Sequence, residues 1–203
     1  MTDHFYEPGK GHGLAHNPFK AIVAPRPIGW ISTADAAGRF NLAPYSFFNA
    51  VCDAPPLLYF STSGHRKDTL NNVEATGEFV ANFVGAAQAR EMNATAASVA
   101  PGVDEFALAG LTPVASVKVN PPRVGGAIAA MECRLVRIIH LTDANGVEID
   151  GWMAIGEVVG VHIDRAFLKN GVFDTAAARP IARCGYRGDY TEVNSLFEMI
   201  RPA

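Results

Sequence analysis

The sequence predicts a mainly β fold, a barrel with a few covering helices, on three observations. Apolar runs of strand length outnumber helical patterns, turn signals recur between them, and the chain is apolar enough to close a core. Of its 203 residues 49% are hydrophobic, which suits one domain over residues 19–203 behind a short arm.

Residues 1–18 are the arm, a Gly- and His-rich lead with little periodicity that orders only where a neighbour holds it. Over 27–49 short apolar stretches are broken by Asp35-Ala36-Ala37-Gly38, which is turn chemistry between the strands of a hairpin. Leu57-Leu58-Tyr59-Phe60-Ser61 follows Pro55-Pro56, and Glu78-Phe79-Val80-Ala81-Asn82-Phe83-Val84 follows Gly77. Both read as buried strands. Between them residues 68–75 form two helical turns, with Asp68 as N-cap and Gly77 as the stop. The Ala-rich stretch 86–99 is helical by propensity and ends at Pro101-Gly102. Residues 127–141 and 151–163 are long and extended, joined across Asp143-Ala144-Asn145-Gly146, whose Asn-Gly step signals a hairpin.

Composition removes several function classes. A net charge of −3, from 17 Lys+Arg against 20 Asp+Glu, supplies no basic face for nucleic acid. The first 30 residues lack a cationic start followed by an apolar core, and no apolar run approaches a membrane span. A cytoplasmic location with no membrane partner is the expectation. Cys52, Cys133 and Cys184 are odd in number and widely spaced, so they read as buried free thiols rather than a zinc or dithiol motif. His12 and His16 are four apart, but the surrounding glycines disfavour a helix and no third ligand is evident; no metal site is expected. Gly9-Lys10-Gly11-His12-Gly13 follows no strand and opens no helical pattern, so it is not a dinucleotide loop.

One segment carries chemistry. Ser61-Thr62-Ser63-Gly64-His65-Arg66-Lys67-Asp68-Thr69 places hydroxyls, a flexible glycine and two cations between a buried strand and a helix start. Free amides and the positive end of the helix dipole favour an anion there, and Arg66 and Lys67 add charge and donors. From the residues alone a polar loop capping a short helix is the slightly better reading, because Ser/Gly/Lys loops are common and this one lacks the Walker spacing. His65 assists the anion loop, whereas His140 and His162 lie in strands as structural histidines. No Gly-x-Ser-x-Gly elbow or paired acidic motif supplies a hydrolytic centre. A cofactor that brings its own reactive atom needs none, so no catalytic side chain is assigned.

Four stretches together carry a family resemblance: Arg26-Pro27-Ile28-Gly29-Trp30-Ile31-Ser32-Thr33; Asn41-Leu42-Ala43-Pro44-Tyr45-Ser46-Phe47-Phe48-Asn49; Lys67-Asp68-Thr69 with Asn71; and Gly77-Glu78-Phe79-Val80-Ala81-Asn82. They resemble the flavin reductase-like, FMN-binding split-barrel family, which includes the flavoredoxin-like proteins. Arg179-Pro180-Ile181-Ala182-Arg183, Gly185 and Asp189-Tyr190, closing on Phe197 to Pro202, are similar to its C-terminal pattern, so the resemblance covers roughly residues 18–202.

The resemblance implies a Greek-key split β-barrel that dimerises with FMN near the subunit interface. Ser32, Thr33, Tyr45, Ser46, Phe47, Phe48 and Asn49 would line the isoalloxazine and ribityl chain. Ser61, Thr62, Arg66, Lys67, Asp68 and Thr69 would take the phosphate. Trp30 and Trp152 would wall the flavin, anchor the dimer or fill ordinary core. Arg123 is a surface cation or an edge of the cleft. The implied activity is hydride transfer from NADH or NADPH to flavin, with a monooxygenase or another electron-transfer partner as acceptor. The alternatives are a flavoredoxin-like carrier with permanently bound FMN and a non-catalytic flavin-binding protein.

Overall fold

The Asp35 carboxylate accepts hydrogen bonds from the amides of Ala37 and Arg39, each at 2.9 Å, and reverses the chain there. Strand β1 (Gly29–Ala34) therefore pairs antiparallel with β2 (Phe40–Tyr45). The coordinates are a computed structural model that describes residues 3–202; Met1 and Thr2 of the arm and Ala203 lie outside the described residues.

Ser46 and Phe47 carry the chain directly from β2 into β3 (Phe48–Asp53), which turns into β4 (Pro56–Ser63). With β5 (Glu78–Asn82), β6 (Ala129–Thr142) and β7 (Glu148–Ile163) these form one seven-stranded antiparallel sheet in the order β2-β1-β5-β6-β7-β4-β3. Thus β2 and β3 are opposite edges, although two residues join them. A flat sheet of this width would hold its edges about 29 Å apart, whereas a two-residue link spans at most roughly 11 Å. The sheet must curl until its edges nearly meet, which makes a barrel split along β2 and β3.

Phe48 closes the seam. Its ring lies so tightly on Gly29 that a β-carbon there would stand 2.4 Å from Phe48 Cδ2. Inside, Tyr45 lies tilted against Phe60 and Phe60 meets Phe79 edge to face, with ring centroids 4.9 and 5.4 Å apart, and Ile31 and Leu58 fill around them. Strand β1 is buried along its whole length because it serves two cores: Ile31 faces the barrel interior, while Trp30 packs with Leu42, Met92 and Phe106 outside it. Helix α1 (Asp68–Thr76) adds Leu70 and Val73 to the interior. It ends where expected, at Gly77 with φ 73°.

Three expectations need correction. Asp68 is the first helical residue, not the N-cap; Lys67 holds that position, and the Asp68 carboxylate accepts from Gly102 N at 3.0 Å. The Ala-rich helix is short, a 3-10 turn at Ala86–Gln88 leading into Ala89–Ala94. Thr95 Oγ1 donates to Met92 O at 2.8 Å and accepts from Trp30 Nε1 at 2.9 Å, and this competition with the helix ladder ends it. Cys133 is buried, but Cys52 is exposed, because β3 is an edge strand with no layer over its residues beyond Phe48. The 143–146 hairpin is as expected, with Asp143 Oδ1 accepting from Asn145 and Val147. Arg123 donates to Ala115 O through Nε and Nη2, a backbone brace rather than a free cation.

One buried charge ties a loop to the barrel. Glu132 on β6 is fully buried; Oε1 accepts from Val117 N at 2.8 Å and meets His162 Nε2 at 2.5 Å, and Oε2 accepts from Lys118 N at 2.5 Å. Burial opposes ionisation, but these donors outweigh it and hold the carboxyl below its ordinary range.

Two outcomes follow. Gly29→Ala must displace the Phe48 ring, so it should destabilise the fold by about 1–3 kcal/mol, measured by urea unfolding. Because the Glu132 pKa is lowered on folding, its contribution is present above the unfolded value near pH 4.3 and is lost as pH falls through the lower folded value. Glu132→Gln should therefore be less stable at pH 7, by roughly 1–3 kcal/mol. It should also lose less stability than the parent between about pH 5 and 3, followed by denaturant unfolding at stepped pH.

Candidate functional site

The segment 61–69 leaves β4, turns at Gly64 with φ 87°, and enters α1. Positive φ at that turn is why a glycine stands there. The first amides of α1, those of Asp68 and Thr69, have no carbonyl within the helix to bond. They open beside a cavity of about 460 Å³ bordered by Asn41, Tyr45, Arg66, Lys67, Thr69 and Glu105.

The polar groups around this cavity differ in how far they are committed. Arg66 is braced: Nε donates to Asn71 Oδ1 at 3.2 Å, Nη2 meets Glu74 Oε2 at 2.5 Å, and the guanidinium lies 5.4 Å from the Trp152 ring. Trp152 in turn stacks on His140 at 4.8 Å. Lys67 is exposed, and among the described residues its side chain makes no ion pair or hydrogen bond, while its carbonyl accepts from Leu70 N and Asn71 N. Thr69 Oγ1 accepts from Asn41 Nδ2 at 2.9 Å, which leaves its hydroxyl proton available. The Tyr45 hydroxyl is buried without a hydrogen-bond partner, as is Thr62 Oγ1. Burial pushes the Tyr45 phenol up to about 12, with the neighbouring Thr69 hydroxyl opposing it only in part, so it is a neutral donor at any ordinary pH.

Two carboxylates also border the cavity, and both turn towards backbone. Asp68 is held by Gly102 N, and Glu105 Oε2 accepts from Leu42 N at 3.0 Å. Burial raises the Glu105 carboxyl above its ordinary value, although the Leu42 amide works against the shift. An anion at the Lys67 end therefore meets cations, amides and hydroxyls with the nearest acids already engaged.

Of the residues singled out from sequence, Tyr45, Arg66, Lys67, Asp68 and Thr69 share this cavity, and His65 joins them. Phe48 faces a second, almost wholly apolar cavity of about 400 Å³ that also includes Pro27, Ile28 and Phe173. Ser46 and Phe47 form the link between the sheet edges, with Phe47 O accepting from Ser61 N at 2.8 Å. Asn49 is exposed on β3, and its Oδ1 accepts from Ala50 N.

Trp30, Ser32 and Thr33 are fully buried in β1 and reach neither cavity. Ser32 Oγ donates to Pro122 O at 2.5 Å and accepts from Asn82 Nδ2 at 3.1 Å. Thr33 Oγ1 accepts from Asn41 and Asn72. They support the wall of the site rather than face it. Sequence reasoning missed residues 95–99 and Glu105, which border the cavity. Helical propensity masked the first group, and the one local signal was Thr95 within an alanine run.

Among the described residues no cluster of three or more His, Cys, Asp or Glu could hold a metal ion, and no helix is long and apolar enough to cross a membrane.

Comparison with known proteins places this geometry in a family. Residues 23–181 match the model of the flavin reductase-like domain. The uncharacterized protein YwrF of Bacillus subtilis is 35% identical over 186 residues, covering 89% of this chain and 90% of its own. The crystal structure of nitrilotriacetate monooxygenase component B from Bacillus cereus is similar at TM-score 0.82 and 32% identity, covering 92% of this chain and 98% of that one. Flavoredoxin of Desulfovibrio vulgaris (Miyazaki F) is similar at TM-score 0.74 and 25% identity, over 87% of this chain and 91% of its own. With a split barrel, an anion-favouring loop at the start of α1 and a match spanning most of the chain, the protein belongs to the flavin reductase-like family of flavin-linked oxidoreductases.

Proposed function

We propose that the protein is an NAD(P)H-dependent flavin reductase that binds FMN with its phosphate at Lys67 and the opening amides of α1. The observation that carries the proposal is the 460 Å³ cavity whose anion end holds an uncommitted lysine beside free helix amides. A volume of this size lies within the range of cofactor sites. The orphaned Tyr45 hydroxyl is a second point of fit, since a buried donor without a partner is costly unless a ligand satisfies it.

Bound FMN would supply the hydride-accepting centre, so the chain's own residues need only bind and orient. Lys67, Arg66 and Thr69 hold the phosphate, and Asn41 fixes the Thr69 hydroxyl through its side-chain amide. Tyr45 donates to a ligand oxygen, remaining neutral because of its raised pKa. Ser46 and Phe47 carry the chain along the seam beside the ring system, and Phe48 excludes water there. Ser32, Thr33 and Trp30 keep that wall in place, and Ser61 and Thr62 hold the strand leading to the phosphate loop.

The protein acts as a homodimer in this reading, and the name of the Bacillus cereus neighbour as a monooxygenase component supports a monooxygenase or another electron-transfer protein as acceptor. The likeness to flavoredoxin supports a second reading, an electron carrier that retains FMN. Retention of flavin through purification separates the two.

The activity is tested by steady-state oxidation of NADH and NADPH with and without added FMN. Turnover with one nicotinamide is expected, and no oxidation of either would overturn the reductase reading. FMN should bind more tightly than FAD by calorimetry, because no pyrophosphate fingerprint accompanies the single-phosphate loop. Lys67→Ala should raise the FMN dissociation constant roughly ten- to hundredfold while leaving turnover at saturating FMN nearly unchanged. Fluorescence quenching and NADH oxidation on the same folded preparation measure both. Parental affinity in the variant would remove Lys67 from the site.

A further inference from the structure

Two polar cavities of this chain share one wall. The cavity of about 460 Å³ beside Lys67 and a second of about 210 Å³, bordered by Arg39, Asn72 and Gly102, are divided by Asn41, Asp68 and Pro101, which border both. The parts of this wall stand with different firmness. Asn41 is buried, and its Nδ2 donates to Thr69 Oγ1 at 2.9 Å and to Thr33 Oγ1 at 3.3 Å. Pro101 belongs to the segment 98–102, which forms neither helix nor strand. Among the described residues, Gly102 N donating to Asp68 Oδ2 at 3.0 Å is the one hydrogen bond that ties this segment to a distant part of the fold.

The far side of that bond is also fitted. Gly102 sits at φ 80°, where a side chain is strained, and a β-carbon there would stand 3.2 Å from Arg39 Nη1. Arg39 Nε is fixed on Asp35 Oδ2 at 2.6 Å, while Nη1, beside Gly102, makes no hydrogen bond among the described residues. The second cavity therefore carries a guanidinium with donors to spare directly behind the contact that closes it.

We propose that the Asp68–Gly102 bond is a latch that sets which flavin nucleotide the site accepts: closed, it ends the cavity at a single phosphate, and open, it admits a diphosphate chain into the second cavity towards Arg39. This rests on the reading that places the FMN phosphate at Lys67, and it names what excludes the longer nucleotide. FMN ends at its phosphate. FAD continues from the same phosphorus atom through a second phosphate to adenosine, and the room for that extension lies behind the shared wall. Asn41 cannot yield without giving up the bonds that also hold Thr69. Asp68 can, because a single hydrogen bond keeps the segment 98–102 across the way. Its carboxylate also repels a second phosphate while the wall is closed, whereas past the wall Arg39 offers that phosphate a cation.

The test measures FMN and FAD dissociation constants by fluorescence quenching on the full chain, each variant first shown to be folded by a melting curve. The parent should hold FMN more tightly. Asp68→Ala should move the ratio of the two constants towards FAD by about tenfold or more. Asp68→Asn, which keeps an oxygen for Gly102 N but not the charge, should move it much less. Adding Arg39→Ala to Asp68→Ala should return the ratio towards that of the parent. Hydrogen exchange reads the latch itself: the Gly102 amide should be protected in the parent and in Asp68→Asn and lose protection in Asp68→Ala. Should Asp68→Ala not fold, Gly102→Ala strains the same contact from its other side and should shift the ratio in the same direction. A parent that binds neither flavin overturns the FMN reading and the proposal with it. A parent that binds FMN but shows no protection at Gly102, or whose preference survives loss of that protection, overturns the latch alone. An Asn variant that shifts as far as the Ala variant also overturns it, since charge and not closure would then discriminate.

Discussion

The two-residue link between opposite edges of the sheet is the constraint on which the rest of this structure depends. Ser46 and Phe47 cannot join β2 to β3 unless seven strands curl through nearly a full turn. Curling places Phe48 on Gly29 and encloses Tyr45, Phe60 and Phe79. It also leaves a seam with no ladder across it. A closed barrel has no such gap, and its strands would offer no unpaired edge for a ligand or a second chain. The seam is thus both the weakest part of the sheet and the part with backbone groups to spare.

Charge is arranged around that seam by a division of labour. Arg66 is the stronger hydrogen-bonding cation, yet Glu74, Asn71 and Trp152 already hold it, which fixes its position and offsets part of its charge. Lys67 is the compact cation, and its ammonium has no partner among the described residues. One fixed and one free cation suit a doubly charged phosphate end better than two free ones, because less side-chain freedom is lost on binding. Asp68 would repel such a group if it faced outward. Its bond to Gly102 turns it aside and at the same time anchors the 95–102 segment that borders the cavity.

Much of this was legible in the residues, for reasons that differ by element. Both hairpins were readable because Asp35 and the Asn145-Gly146 step are local turn signals whose geometry decides pairing without distant help. That residues 65–69 gather at one cavity was readable because these residue types sit together in sequence. Helix 86–99 was overread because propensity counts alanines, while the Trp30 indole that captures Thr95 comes from 65 residues away. The placement of Ser32 and Thr33 was hidden for the same reason: Pro122, Asn82 and Asn72 claim their hydroxyls from other segments. A motif can name the strand that lines a site, but which face of it meets the ligand is settled by tertiary hydrogen bonds.

Tyr45 borders the polar cavity and Phe48, three residues on, borders the apolar cavity. The short link Ser46-Phe47 therefore lies between the two cavities and is flanked by one wall residue of each. Phe47 O is already held by Ser61 N, one residue before the buried and unpartnered Thr62 hydroxyl. The link thus has little freedom to move at one end without moving β4, whose other end leads into the phosphate loop.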